Sequence, residues 1–151
     1  MTQDVLLTIS GLHDMGNSGV KAEENEALEV ITPAKYYLKN GKHYILYDEV
    51  VEGVPGSIKN KVKITGDKTL EIIKTGITNS HMIFEAGKSN LTLYDTPYGQ
   101  FHVDVHTKKL DIVEVEDEIS VRVSYGLDVN HEALAECEIA LSVKPKEIRV
   151  L

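Results

Sequence analysis

The sequence predicts an all-β protein, an antiparallel up-and-down β-barrel of about eight to ten strands with little helix. Apolar and polar residues alternate in most segments, which places successive side chains on opposite faces of a strand. Short turn sequences separate these segments at close spacing, and no segment carries the long apolar stripe of a substantial helix. Local turns favour a meander over a Greek key, and closure into a barrel removes exposed edges.

Two hairpins can be assigned a register from the sequence. Asn40-Gly41 is the strongest signal for a two-residue turn. The segment Gly66-Asp67-Lys68 is better accommodated as a three-residue loop, because that register keeps apolar residues opposite apolar residues and creates a pair of opposite charges. The predicted pairs are Tyr37–Tyr44 and Tyr36–Ile45 in the first hairpin, and Ile64–Leu70, Val62–Ile72 and Lys63–Glu71 in the second.

The most regular alternation runs from residue 90 to residue 116. Thr96-Pro97-Tyr98-Gly99 joins two strands, since Pro97 fixes its own backbone and Gly99 suits the last position of a turn. A second turn is predicted at residues 108–110, which would bring Val103 opposite Val115. Residues 129–135 are expected to form a loop, and residues 22–28 at most one turn of helix.

Length and charge limit the classes of function. The chain of 151 residues fits one domain, residues 1–151, with a sizeable core. The formal net charge of −8 argues against a nucleic-acid partner and against an anionic membrane surface. No apolar run approaches the roughly 20 residues that a membrane-spanning helix needs.

The single cysteine, Cys137, excludes an intramolecular disulfide and is expected to face the core. The N-terminal segment has an early aspartate and no basic region, so it does not resemble a signal peptide. These features predict a reducing, cytoplasmic location.

The sequence offers little support for catalysis. It contains no Gly-x-Ser-x-Gly elbow and no glycine-rich phosphate loop. No cofactor is expected, and an enzymatic function is the less favoured interpretation of the sequence.

One group of residues could bind a metal. His102 and Asp104 share a strand face with His106, but His102 and His106 lie about 13 Å apart on an extended strand. The turn at residues 108–110 would place Asp104 opposite Glu114. His102, Asp104 and Glu114 then form a candidate oxygen and nitrogen metal site, and the alternative is a solvated polar face.

Seven tyrosines could serve a barrel that binds a small molecule, or they could fill an ordinary core. The candidate ligand-binding residues are Tyr94, Tyr98, Tyr125 and Lys74. The first hypothesis is therefore a non-enzymatic barrel that holds a small, partly apolar ligand. A second hypothesis is a filled barrel that acts in protein interaction or homo-oligomerisation, and a third is a metal-dependent enzyme.

Four short segments, in matching order, carry a family resemblance: Gly56-Ser57-Ile58-Lys59-Asn60, Phe84-Glu85-Ala86-Gly87-Lys88, Tyr94-Asp95-Thr96-Pro97-Tyr98-Gly99 and Thr107-Lys108-Lys109-Leu110. Together they resemble the YwiB-like family of small bacterial proteins, from about Val5 to Val143. The resemblance implies a calycin-like (lipocalin-type) barrel and a bacterial cytosolic origin, with no catalytic or binding residues. Where the family pattern has an arginine before a glycine, this chain has Lys74-Thr75-Gly76, so an arginine-based ligand role is not implied.

Overall fold

Ten β-strands make up the part of the chain that the computed structural model describes, residues 3–12 and 28–146. No helix occurs among these residues, and the expectation for residues 22–28 lies outside them except at Leu28, which begins a strand. In chain order the strands are β1 (Asp4–Leu12), β2 (Leu28–Lys39), β3 (Lys42–Glu49), β4 (Ile58–Thr65), β5 (Thr69–Gly76), β6 (Ser80–Glu85), β7 (Ser89–Thr96), β8 (Gly99–Val115), β9 (Glu118–Val129) and β10 (Glu132–Pro145).

The strands form a nearly closed ring in which sequence neighbours are also spatial neighbours. The sheet order is β6-β5-β4-β3-β2-β1-β10-β9-β8-β7, and every ladder is antiparallel. The two ends of the sheet meet at one bridge, where Asn79 N–H donates to Asp95 O at 2.8 Å and Asp95 N–H donates to Asn79 O at 2.9 Å. The predicted all-β up-and-down barrel is confirmed.

Both registers assigned from the sequence are confirmed. The first hairpin pairs Tyr37 with Tyr44, and its turn residues Asn40 and Gly41 have φ angles of 54° and 75°. Positive φ at both positions defines the turn type whose twist matches that of the flanking strands. The second hairpin pairs Ile64 with Leu70, as the three-residue loop requires.

Two turn predictions between residues 108 and 135 are wrong. β8 continues without a turn through residues 108–110, and a bulge between Thr107 and Lys109 absorbs one residue. Val103 therefore pairs with Val129 and not with Val115. The loop expected at residues 129–135 is limited to Asn130 and His131, since β9 ends at Val129 and β10 begins at Glu132.

The core fills the barrel interior with alternating residues from the strands. Phe84 and Tyr125 meet edge to face, with ring centroids 5.0 Å apart, and Cys137 is buried as predicted. The fully buried large side chains are Phe84, Leu7, Ile9, Ile45, Ile64, Leu70, Ile119, Ile139, Val5, Val62, Val103 and Val105. In the residues that the structure describes, we find no helix of the length and hydropathy needed to cross a membrane.

Candidate ligand-binding site

The interior wall changes from apolar to polar along four consecutive strands. Val62, Ile72 and Met82 lie side by side on β4, β5 and β6 and contribute to the core. Two residues away on the same face, the strand registers place Tyr47 opposite Asn60, Asn60 opposite Lys74, and Lys74 opposite Ser80. We call these four residues, Tyr47, Asn60, Lys74 and Ser80, the interior polar row.

Lys74 is held inside the barrel by two neighbours. Its ammonium donates to Asn60 Oδ1 at 2.8 Å and to Glu49 Oε1 at 3.0 Å. Asn60 Nδ2 donates to the same Glu49 oxygen at 3.1 Å, which closes a triangle of hydrogen bonds. The Lys74 side chain is 16% exposed and that of Glu49 is 41% exposed, so the cation is buried and its counterion reaches solvent. Pairing of this kind offsets the desolvation cost of a buried charge.

Ser80 lies directly opposite Lys74 and presents a hydroxyl without a partner. The residue is 7% exposed, and its Oγ accepts or donates no hydrogen bond among the described residues. A buried hydroxyl of this kind costs about 1–3 kcal/mol relative to a satisfied one. Thr107, which is 3% exposed, also has a hydroxyl without a partner, so the feature alone does not mark a site. Ser80 differs in lying opposite the Lys74 cation, where a ligand group would satisfy both residues.

A groove opens through the barrel wall beside the interior polar row. Its volume is about 320 Å³, and its lining includes the interior-facing residues Val5, Ala34 and Tyr47. Pro33 and Asp48, which point to the outer face, also line it. The groove therefore connects the outside of the barrel to Tyr47, the first member of the interior polar row.

Pro33 explains why the wall opens at this point. The β2–β3 ladder ends at Lys35 and Leu46, although both strands continue beyond that pair. Tyr36 N–H donates towards β1, to Gln3 O at 2.8 Å. Backbone N–H groups of successive strand residues point alternately to the two neighbouring strands. The nitrogen of Pro33, three residues before Tyr36, therefore faces β3. Proline has no N–H to donate, and the ladder cannot continue to Asp48.

Tyr47 is half-buried between the groove and Asn60. Burial raises the pKa of Tyr47 to about 12, and the negative charge of Glu49 acts in the same direction. The phenol consequently keeps its proton at neutral pH and is available as a hydrogen-bond donor.

The structure places the four residues that the sequence singled out for a ligand in four different surroundings. Lys74 belongs to the interior polar row, and Tyr94 is half-buried on β7 against the core. Tyr98 is 81% exposed at a turn, outside the barrel interior. Tyr125 is 3% exposed and packs on Phe84 within the filled core, where burial raises the pKa of its phenol.

The sequence reasoning missed Tyr47, Asn60, Glu49 and Ser80. A signal for them was present, because Asn60 and Ser80 interrupt the apolar alternation at the interior parity of their strands. Once Val62 is paired with Ile72, Asn60 must pair with Lys74, two residues further along. The confirmed register of the second hairpin thus already contained half of the interior polar row.

The comparison with protein families shows which family the chain belongs to. Residues 16–141 match the family described as Domain of unknown function (DUF1934). The chain belongs to this family. It is also similar to the crystal structure of the ywiB protein from Bacillus subtilis, with a TM-score of 0.75 and 19% sequence identity, over 96% of this chain and 93% of that chain. This likeness shows the fold and confirms the resemblance to the YwiB-like family. Among curated proteins, none matches the sequence.

In this DUF1934 protein the predicted metal-binding residues are not brought together. Glu114 pairs with Ile119 beyond the β8 bulge, and its carboxylate lies 3.2 Å from His43 Nε2. Asp104 lies opposite Asp128 instead. The expected opposition of Asp104 and Glu114 is wrong because it depended on a turn at residues 108–110 that the bulge replaces. The ring of His102 stacks on that of His131, with centroids 6.0 Å apart.

Proposed function

We propose that this DUF1934 protein is a non-enzymatic, lipocalin-like barrel that binds a small, partly apolar molecule at the interior polar row. The observation that carries the proposal is the pairing of two unusual interior groups on adjacent strands. Lys74 is a largely buried cation, and Ser80, directly opposite, has a buried hydroxyl without a partner. A binding site needs a few convergent polar groups in an otherwise apolar enclosure, and these residues supply them.

The hydrogen-bonding groups of the row favour a ligand that accepts hydrogen bonds. An ammonium has three donors, and Lys74 uses two of them on Asn60 and Glu49. The third donor and the Ser80 hydroxyl remain for a ligand oxygen. A carbonyl or carboxylate is the group that would satisfy both.

The apolar part of the ligand would lie in the groove. Leu46 and the ring of Tyr47 contribute accessible apolar surface there. Val5 and Ala34 also line it but are only 0% and 7% exposed. A volume of about 320 Å³ falls within the lower range of small-molecule sites. The groove thus supports a ligand with an apolar body and one polar end.

We further propose a bacterial cytosolic setting for this binding. The similarity to a Bacillus subtilis protein supports the bacterial origin. The single, buried Cys137, whose pKa burial raises, supports a location where disulfides are not required.

Fluorescence titration with anilinonaphthalene sulfonate, an aromatic anion with an apolar body, tests the proposal. We expect saturable binding at one site and a loss of affinity of at least about tenfold in Lys74→Met, because a charge-assisted hydrogen bond is removed. Lys63→Met is the matched control. Lys63 is also largely buried, on the neighbouring strand, but it lies on the outer face and pairs with Glu71.

Two results would contradict the proposal. One is the absence of saturable binding to a protein whose circular dichroism shows the native fold. The other is an equal affinity in the Lys74→Met and Lys63→Met variants. Native mass spectrometry of protein purified from its own cells complements the titration, because it detects a molecule that co-purifies.

A second candidate function is protein interaction through the outer face of the β2–β3 hairpin. Tyr37 is 43% exposed on that face, while Tyr44 is half-buried beneath Lys63, whose Nζ lies 5.8 Å from the ring centroid. An exposed aromatic ring is typical of a contact surface. Light scattering separates the two candidates, because a strict monomer at high concentration removes the case for homo-oligomerisation.

A further inference from the structure

A second polar cluster lies on the outside of the barrel, away from the interior polar row. Asp104 and His106 alternate on the outer face of β8, and Asp128 stands on β9 directly opposite Asp104. One donor atom from each residue lies within 4.8 Å of the others, and all three side chains are half-buried. We call Asp104, His106 and Asp128 the outer Asp-His-Asp cluster.

The backbone assembles this cluster beside a glycine. His106 pairs with Gly126 on β9, whose lack of a side chain leaves room for the ring, and the Glu136 carboxylate lies 3.4 Å from the place where a Cβ would stand. The ring therefore reaches diagonally to Asp128, and its Nε2 lies 2.8 Å from Asp128 Oδ2. Diagonal neighbours across a ladder lie within reach of long side chains, so this contact requires no distortion of the strands.

The other ring nitrogen is held from the opposite side. Ser89 on β7 is the register partner of His106, and its Oγ lies 2.6 Å from His106 Nδ1. The Asp128 carboxylate can only accept, so in the neutral ring Nε2–H donates to it and Nδ1 accepts from the Ser89 hydroxyl. If a metal ion replaced the proton on Nε2, Nδ1–H would donate to Ser89 Oγ instead. A hydrogen bond on the distal nitrogen is the arrangement that orients metal-binding histidines.

The two negative charges of the cluster favour a positive charge beside them. Asp104 and Asp128 oppose each other across the ladder, and like charges in that position are destabilising. Either a proton on His106 or a metal ion can relieve the repulsion.

We propose that Asp104, His106 and Asp128 form a site for a divalent transition-metal ion, with Zn²⁺ as the best-suited ion. One imidazole and two carboxylates are ligands that Zn²⁺ accepts at bond lengths of about 2.0–2.2 Å, which separates ligand atoms by about 3.4 Å in a tetrahedral site. The His106–Asp128 separation of 2.8 Å would have to widen by about 0.6 Å, and the other separations, which are at most 4.8 Å, would have to narrow by up to about 1.4 Å through side-chain rotation.

The test is isothermal titration of untagged protein with Zn²⁺ alone. We expect one ion per chain and a loss of affinity of at least about tenfold in His106→Ala and in Asp128→Asn, since each removes a ligand. Ser89→Ala should weaken binding by a similar factor through the orientation of the ring. The affinity should also fall as the solution is acidified, because the proton and the metal compete for Nε2.

His81→Ala is the matched control. His81 Nε2 lies 2.8 Å from Glu71 Oε1, the same separation as in the His106–Asp128 pair, but the described residues place no third ligand beside it. The proposal predicts unchanged Zn²⁺ binding in this variant. It is overturned if binding survives His106→Ala, if it depends on His81 or on His102, or if no saturation occurs below about 1 mM Zn²⁺.

Discussion

The apolar and polar parts of the barrel interior are built on the same four strands, only two residues apart. The apolar part continues from one strand to the next as Ile45, Val62, Ile72 and Met82. The polar part follows the same ladders as Tyr47, Asn60, Lys74 and Ser80. The backbone hydrogen bonding is continuous through both, so strand geometry alone does not require the change in chemistry.

This difference distinguishes the interior residues that stabilise the fold from those that stability does not require. β-branched and aromatic residues at the interior parity are sufficient to close and fill a barrel. Four polar residues at the same depth, one with an unpartnered hydroxyl, add desolvation costs without improving the packing. Departures from local consistency of this kind are typical of functional positions. The predictions below test this separation.

The largest effect is expected in the apolar part, from Phe84→Ala. Phe84 is fully buried and meets Tyr125 edge to face, so its truncation leaves a cavity. We expect the free energy of unfolding to fall by about 3–5 kcal/mol, measured by urea denaturation. Leu91→Ala, at a residue that is 60% exposed, is the control and should change it by less than about 0.5 kcal/mol. Similar losses in the two variants would mean that the core is not packed as described.

Lys74→Met should have a smaller effect on stability. The substitution leaves Asn60 Oδ1 without its donor and Glu49 Oε1 with only the Asn60 amide, but it adds apolar surface in a largely buried position. We expect a loss of about 1–2 kcal/mol in the free energy of unfolding, after discounting the partial exposure of Glu49. Lys63→Met removes only an outer pair at 3.7 Å and should cost less than about 1 kcal/mol. The reverse order would count against an interior location for the Lys74 cation.

The pH dependence of stability offers a third comparison, through Tyr47. Its folded pKa of about 12 lies above the ordinary tyrosine value, so the folded state keeps a proton that the unfolded state releases. The associated stability is complete below about pH 10 and is lost as the pH rises through about 12. Tyr47→Phe should therefore show a shallower decline in this window by denaturant titration. Tyr125, which also has a raised pKa, is present in both proteins and cancels.

The sequence was informative where local chemistry determines the backbone. Asn40 and Gly41 tolerate the positive φ angles that their turn requires, and the hairpin register follows from the turn. It was less informative at residues 108–110, where two lysines resemble a turn but lie beside a bulge in β8. A turn and a bulge at this position have similar local energies. Contacts with β9, which is distant in the sequence, determine which of the two forms.

The candidate site was predictable only in part for a related reason. Lys74 was singled out because it stands in Lys74-Thr75-Gly76, where the family pattern has an arginine before a glycine, whereas Tyr98 and Tyr125 were selected by residue type. Their positions, one exposed at a turn and one in the core, depend on how the strands close around the interior. The opening at Pro33 depends on which neighbour its nitrogen faces, and that requires the full strand order.

The smallest expected change in stability, and the sharpest test of the comparison, comes from Ser80→Ala. Removal of a buried hydroxyl without a partner relieves a desolvation cost and leaves no other group unsatisfied. The free energy of unfolding should thus stay the same or rise by up to about 1 kcal/mol. Binding of anilinonaphthalene sulfonate should weaken in the same variant, because a donor beside Lys74 is lost. A substitution that improves the fold and impairs binding separates the two roles of the interior, since a purely structural Ser80 would leave the binding unchanged.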